Sequence, residues 1–167
     1  MNLEAIHSLL QSEFPSTEFI ALENSTPAGF LIPTENIHSV CAFLHANENT
    51  YFDHLACLTA IDSGVEENTM EVVYTLYSIP KNFHLTLKVV LDRPNPIVDS
   101  VSEIWGGANW HEREAFDLFG IQFTNHPDLR RILLPADWVG HPMRKDYKED
   151  ETYHGMTIEH PDKKVSE

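Results

Sequence analysis

Apolar residues recur at helical spacing near the start of the chain. Leu3, Ile6, Leu9 and Leu10 fall on one face and predict a helix over residues 3–14. Thr17 to Leu22 has the pattern of a strand, and Gly29-Phe30-Leu31-Ile32 reads as a second one ended by Pro33. Thr34 is placed to cap a helix in which Ile37, Val40, Cys41 and Leu44 recur at i, i+3, i+4 and i+7. That is the clearest amphipathic helix in the chain. Tyr51 to Ile61 is mixed, with strand character in its second half. A turn at Ser63-Gly64 and an acidic loop at Glu66-Glu67-Asn68 follow.

Two strands come next. Over 69–79, Met70, Val72, Tyr74 and Leu76 share one face while Val73, Tyr77 and Ile79 share the other, which predicts burial on both sides. Over 83–91, Phe83, Leu85, Leu87, Val89 and Leu91 alternate with His84, Thr86, Lys88 and Val90. Pro80-Lys81-Asn82 is short enough to join these two as an antiparallel hairpin, and Pro94 and Pro96 end the sheet. Val101 and Ile104-Trp105 predict a short helix, broken by Gly106-Gly107 before a longer one that begins near Asn109. In that helix Arg113 stands four residues before Asp117, the spacing of an ion pair. Gly120 follows Phe116 and Phe119 as a left-handed C-terminal cap would. Pro127, Pro135, Gly140 and Pro142 then interrupt the chain too often for another helix. The order implies an α+β fold: a mainly antiparallel sheet with helices packed on one face over residues 1–134. An extended C-terminal arm, 135–167, is expected to dock on partners. Its last stretch, Lys148 to Glu167, is polar enough to be disordered alone.

Composition narrows the function. No apolar run is long enough to span a bilayer, and the N-terminus has no basic-then-apolar signal pattern. The chain is therefore expected in the cytoplasm, meeting a membrane only through partners. Two cysteines, Cys41 and Cys57, are too few for a disulfide scaffold or a four-thiolate iron–sulfur site, and their apolar neighbours predict buried free thiols. The net charge is −15, and no Lys or Arg occurs before Lys81. Nucleic-acid binding needs a basic stripe, so that function is excluded. The acidic first half is expected to be a solvated, solubilising surface.

Several residues could carry chemistry. Glu112, Glu114 and Asp117 have the makings of an acid–base pair, but carboxylates beside Arg113 are expected to be structural ion pairs held ionised. Ten histidines invite a metal. A free-standing metal hydrolase built on His111, His126, His141 and the 112–117 carboxylates is the remote alternative, weakened by the absence of an HExxH motif. There is no Gly-x-Ser-x-Gly elbow, no phosphate-binding Gly loop and no dinucleotide fingerprint, so no cofactor is expected on this chain. What remains is a basic cluster. Arg130, Arg131, Arg144, Lys145 and Lys148 crowd the end of the chain with Trp138 and Met143, a composition suited to an interface. Arg130 and Arg131 are divided between such an interface and internal pairing with Asp128, Asp137 and Asp146. Few local acids are expected within reach of Arg144 and Lys145, which favours a partner.

One stretch resembles a known family. Glu112-Arg113-Glu114, then Asp117-Leu118-Phe119, His126, Arg130 and Ile132-Leu133, keep the spacing of a signature found in the C subunit of the proton-pumping NADH:quinone oxidoreductase, respiratory complex I. Trp138-x-Gly140-His141-Pro142-x-Arg144-Lys145-Asp146-Tyr147 is similar to the segment that follows it there. A looser similarity reaches back through Ala60-Ile61-Asp62, so that most of 34–147 is covered. Some relatives carry a fused partner subunit, which a chain of 167 residues is expected to lack. The resemblance makes Glu112, Arg113, Glu114, Asp117, Gly120 and His126 a structural signature. It makes Arg130, Arg131, Trp138, His141, Arg144, Lys145 and Asp146 candidates for the partner interface. It implies a docking subunit of the peripheral arm, on the cytoplasmic face of the inner (plasma) membrane. The large quinone-site subunit and a neighbouring iron–sulfur subunit would be its partners, and those partners would hold the quinone, the NADH and the iron–sulfur clusters. The equivalent subunit of a membrane-bound hydrogenase or of a non-NADH dehydrogenase fits the same residues.

Overall fold

A computed structural model describes residues 2–22, 25–150 and 152–157. Helix α1, Leu3–Glu13, starts where the Asn2 side chain accepts from the Ala5 N–H at 2.9 Å. It buries Ile6 and Leu10. Strands β1, Ile20–Ala21, and β2, Gly29–Leu31, pair antiparallel. Thr34 does not cap the next helix. Its hydroxyl donates instead to the Val90 carbonyl, and a single 3-10 turn at Thr34–Asn36 precedes α2, Ile37–Ala46. Ile37, Val40, Cys41 and Leu44 are buried, as their period requires.

Strands β3, His54–Gly64, β4, Thr69–Ser78, and β5, Phe83–Asp92, form an antiparallel meander, so Ser63-Gly64 ends a strand rather than making a turn. The sheet order is β1-β2-β5-β4-β3, with β2 parallel to β5 and the other pairs antiparallel. Gly29 permits that parallel pair: a Cβ there would lie 1.8 Å from the Thr86 carbonyl oxygen. Met70, Val72, Tyr74 and Leu76 face Leu91, Val89, Leu87 and Leu85 across the ladder, and all are buried in one core with the helices. The expectation of two buried faces for β4 is corrected here. Val73 and Tyr77 are half-buried and Ile79 is exposed, because the helices cover one face only. Cys57 is exposed as well, beside a bulge in the edge strand β3, whereas Cys41 is buried.

Residues 101–105 make one turn rather than a helix, with the N–H groups of Ile104 and Trp105 both bonded to the Val101 carbonyl. Strands β6, Ile97–Asp99, and β7, Gln122–Thr124, pair parallel on either side of helix α3, Ala108–Phe119. Gly120 ends α3 in the left-handed region at φ 78°, its N–H bonded to Phe116. After β7 the described residues are irregular apart from a hairpin of β8, Thr152–Tyr153, and β9, Met156–Thr157. The expected disorder of the tail falls partly on this hairpin and partly on residues 158–167, which lie outside the described residues. Among the described residues no helix is long and apolar enough to cross a membrane.

Candidate functional site

Helix α3 turns an unusual set of side chains inward: Glu112, Arg113 and Asp117 are buried with Ala108 and Ala115. The ion pair expected between Arg113 and Asp117 does not form. Each side chain instead serves the loop that crosses the helix. Arg113 donates from Nε to the Arg130 carbonyl at 3.2 Å and from Nη2 to the Arg131 carbonyl at 3.3 Å. Its guanidinium lies 5.2 Å from the centre of the Trp110 ring. Asp117 takes the N–H groups that follow: Oδ2 accepts from Ile132, Leu133 and Leu134 at 3.0, 2.8 and 2.9 Å. Its Oδ1 accepts from Arg131 Nη1 at 2.7 Å. Burial alone would raise the Asp117 pKa. The Leu134 N–H, the Arg131 guanidinium and the N–H groups of Leu133 and Ile132 outweigh it and hold the carboxyl below the usual range. One helical turn thus clamps five consecutive residues, 130–134, by carbonyls at one end and amides at the other.

Arg131 continues the path. Its Nη2 donates to the carbonyls of Trp138 and Gly140, each at 3.0 Å, and ties the next loop to the same carboxylate. The orphan carbonyls at the end of α3 are then filled by the segment expected to be an extended docking arm. His141 Nδ1 donates to Asp117 at 2.9 Å, Met143 N–H to Leu118 at 3.1 Å, and Arg144 Nε to Phe119 at 2.7 Å. Burial, with Arg144 and Arg131 nearby, holds the His141 imidazole below its ordinary value against the pull of the Asp117 carbonyl. A side chain at Gly120 would collide here, since its Cβ would stand 2.7 Å from the His141 ring and 2.9 Å from Arg144.

Lys145 and Asp146 also have partners within the chain. The Lys145 N–H reaches Asp62 Oδ2 at 2.8 Å, and its Nζ the Ser63 carbonyl at 3.1 Å. Arg93 joins strand β3 to the segment at Asp146. It grips Asp62 twice, at 2.7 and 3.0 Å, and pairs with both carboxylate oxygens of Asp146. Arg93 first, then the Lys145 and Gly64 amides, hold Asp62 well below the usual carboxylate range despite burial. Among the described residues no acid pairs with the Arg144 or Lys145 side chain, as expected, but the inference that this leaves them for a partner is corrected: backbone carbonyls of this chain, at Phe119 and Ser63, receive them. The Arg93–Asp62 clasp escaped the sequence reading. Its signal was an acid in register with Leu58 and Ala60 on the buried face of β3.

Glu112 stands apart from this network. Its side chain is fully buried, with Oε1 accepting from the Val101 N–H at 2.7 Å and Oε2 from Ser100 Oγ at 2.6 Å. The nearest base, His126 Nε2, is 3.8 Å away. The Asp128 N–H donates to His126 Nδ1 at 3.0 Å, so Nε2 carries the ring proton and faces the Asn109 carbonyl at 3.3 Å. Burial pushes Glu112 up to about 7, against the opposing bonds from Ser100 and Val101. The expectation that Arg113 keeps this carboxylate ionised is corrected, because Arg113 points to the 130–131 carbonyls. Glu114 is exposed. His111, His126 and His141 do not converge, and among the described residues no group of three His, Cys, Asp or Glu side chains could hold a metal.

What the clamp displays outward is apolar and basic. Leu133, Val139 and Met143 are 62%, 73% and 55% exposed, Trp110 on the helix beneath is 61% exposed, and the Arg130 side chain, bonded to Asp128, is 71% exposed. Trp138 lies with its ring 5.5 Å from that of Tyr153.

Comparisons with known proteins converge. The family model described as the 30 kDa subunit of the respiratory-chain NADH dehydrogenase matches residues 30–153. The chain is 38% identical over 156 residues to the C subunit of the NADH-quinone oxidoreductase of Chlorobium phaeobacteroides, covering 92% of this chain and 93% of that one. It is 47% identical over 117 residues to the corresponding protein of Geobacter sulfurreducens, 70% of this chain and 71% of that one. To that of Chloroherpeton thalassium it is 46% identical over 121 residues, 72% of this chain but 50% of that longer protein. Among solved structures it superposes on a trypsin-resistant fragment of Nqo5 with a TM-score of 0.63 at 27% identity, covering 77% of this chain and all of the fragment. A chain of an archaeal membrane-bound sulfane sulfur reductase has a TM-score of 0.69 at 23% identity, covering 87% of this chain and 85% of that one, a likeness of fold.

Proposed function

The chain belongs to the family of the 30 kDa subunit of the respiratory-chain NADH dehydrogenase, and on that premise we propose that it is a cofactor-free docking subunit of the peripheral arm of such a complex. Its partners in this reading are the large quinone-site subunit and a neighbouring iron–sulfur subunit, at the cytoplasmic face of the membrane. Electrons would pass through those partners on their way to quinone while this chain sets their relative positions.

The observation that carries the reading is the clamped loop. A long irregular segment is held by two buried charges of one helix and by Arg131 and Arg144, yet it presents Leu133, Val139 and Met143 to solvent. Rigid apolar side chains with Arg130 at their margin are the anatomy of an interface core and its rim. Preorganisation lowers the entropy lost on association. Of the basic residues first assigned to the interface, Arg130 keeps that role in this reading. Arg131, His141, Arg144, Lys145 and Asp146 support the loop from below.

Leu133→Asp with Met143→Asp tests this directly. Neither side chain is in the core, so the isolated variant should melt as the parent does. In native membranes it should fail to co-purify with the quinone-site and iron–sulfur subunits. Normal assembly of the variant would end the docking reading. The electron donor of the assembly is decided by the input subunits that co-purify, since the fold is shared with the sulfane sulfur reductase chain.

A further inference from the structure

Glu112 is sealed from water, but two hydroxyls lead from it toward the surface. Ser100 Oγ lies 2.6 Å from Glu112 Oε2, and Ser102 Oγ lies 2.7 Å from Ser100 Oγ. Glu112 is 0% and Ser100 4% exposed, whereas Ser102 is only half-buried. We propose that Ser102 and Ser100 form a proton relay through which Glu112 exchanges its proton with solvent, making the carboxyl a buried proton-binding site that follows ambient pH. This site stands apart from the docking reading, since every group in it belongs to this chain.

Hydrogen-bond accounting carries the argument. A hydroxyl has one proton to give and two lone pairs to receive. An ionised Glu112 can only accept. The Ser100 hydroxyl then donates to Oε2 and accepts from the Ser102 N–H, at 3.1 Å, and from the Ser102 hydroxyl. A protonated Glu112 donates to Ser100 Oγ instead. Ser100 still accepts from the Ser102 N–H and now donates to Ser102 Oγ. Ser100 is fully satisfied in both states, and only the direction of the chain differs. The step between them moves three protons by one place each. A hydronium ion gives one to Ser102 Oγ, Ser102 passes its own to Ser100 Oγ, and Ser100 passes its own to Glu112 Oε2. One water and one neutral carboxyl result. Oε1 keeps the Val101 N–H at 2.7 Å, so the carboxyl need not turn.

The other groups around Glu112 offer no hydrogen-bonded way out among the described residues. His126 Nε2 is 3.8 Å away, beyond hydrogen-bond reach, and that side chain is fully buried too. Cys41 on α2 and Tyr74 on β4 are buried, and burial above all, with Glu112 nearby, pushes both up, so neither gives a proton near neutral pH. The Tyr74 hydroxyl has no partner among the described residues. Asp99 on β6 is engaged by the Thr124 hydroxyl, Asp62 on β3 by Arg93, and Arg113 by the 130–131 carbonyls. Burial pushes Glu112 up to about 7, so its proton is bound below neutral pH and released above it.

The test uses the full chain with carbon-13-labelled glutamate, the Glu112 carboxyl resonance being assigned by its loss in Glu112→Gln. That resonance should titrate with a midpoint of about 7, and its width at the midpoint reports the rate of proton exchange. Ser102→Thr keeps a hydroxyl and should exchange as the parent does. Ser102→Val has the shape of threonine without the hydroxyl, and should slow exchange by about a hundred-fold while the midpoint stays near the parent's. Ser100→Ala breaks the chain beside the carboxyl. It should slow exchange as much and raise the midpoint, because it also removes a bond that favours the ionised form. A resonance that does not titrate between about pH 5 and about pH 9 overturns the site. Exchange as fast in Ser102→Val as in Ser102→Thr overturns the relay. Should Ser102→Val fail to fold, parental exchange in Ser100→Ala overturns it equally.

Discussion

Replacing Glu112 by Gln should stabilise the protein at alkaline pH and flatten its dependence on pH. The carboxyl is fully buried, accepts from Ser100 Oγ and the Val101 N–H, and among the described residues pairs with no guanidinium or ammonium. Burial raises its pKa from an ordinary 4.5 to about 7. The folded chain therefore holds this proton more tightly than the unfolded chain does. That contribution is fully present below pH 4.5 and is lost as pH rises through about 7. At 1.36 kcal/mol for each unit of pH, the loss across this window is about 3 kcal/mol. A Gln keeps an acceptor for Val101 and a partner for Ser100 without a charge to bury.

At pH 8 Glu112→Gln should thus melt roughly 6–12 °C above the parent, and at pH 5 the difference should shrink toward zero. Asp62 and Asp117, both held below the usual carboxylate range, lose their contributions only in acid below this window. His141, whose imidazole is held low, works in the opposite direction, its contribution being lost as pH falls, but it is common to both proteins and cancels in the difference. The groups that face Glu112, namely Ser100, Val101, His126 and the buried Cys41 and Tyr74, are likewise common to both. Thermal melts of the isolated chains from pH 5 to 8 decide the matter. Parallel curves for the two proteins would refute the buried-proton argument.

Asp117→Asn removes the charge that receives Arg131 and three backbone amides, so stability should fall by roughly 3–5 kcal/mol, and hydrogen exchange should quicken at Ile132–Leu134. Arg93→Ala should cost a similar amount, about 3–5 kcal/mol by denaturant titration, because it strands Asp62, whose side chain is 1% exposed. Arg144→Ala, which empties the Phe119 carbonyl, should lower the stability of the isolated chain by about 1–3 kcal/mol. An unchanged melt there would return Arg144 to the interface.

The sheet and helices were legible in the sequence wherever the signal is local. A period of two makes Met70 through Leu76 one face of a strand, and a period of 3.6 makes Ile37 through Leu44 one face of a helix, whatever lies elsewhere in the chain. The Gly120 cap was legible for the same reason, since backbone conformation and side-chain absence belong to one residue. The signature around Glu112 to Ile132, read with its spacing, pointed to the family before any geometry was known. Which groups those residues bind was decided by the tertiary structure. Arg113 and Asp117 stand at ion-pair spacing, but a loop more than a dozen residues later offers Arg113 two carbonyls and Asp117 three amides. Together these satisfy more buried polar groups than one mutual pair could. The exposure of Cys57 and of the second face of β4 followed from where the helices settled. Glu112 was shielded from water by a turn at 100–102 that no spacing in its own helix predicts. Hydrophobic periodicity is a property of neighbours in sequence; the partner of a charge is set by which distant segment reaches it once the chain has closed.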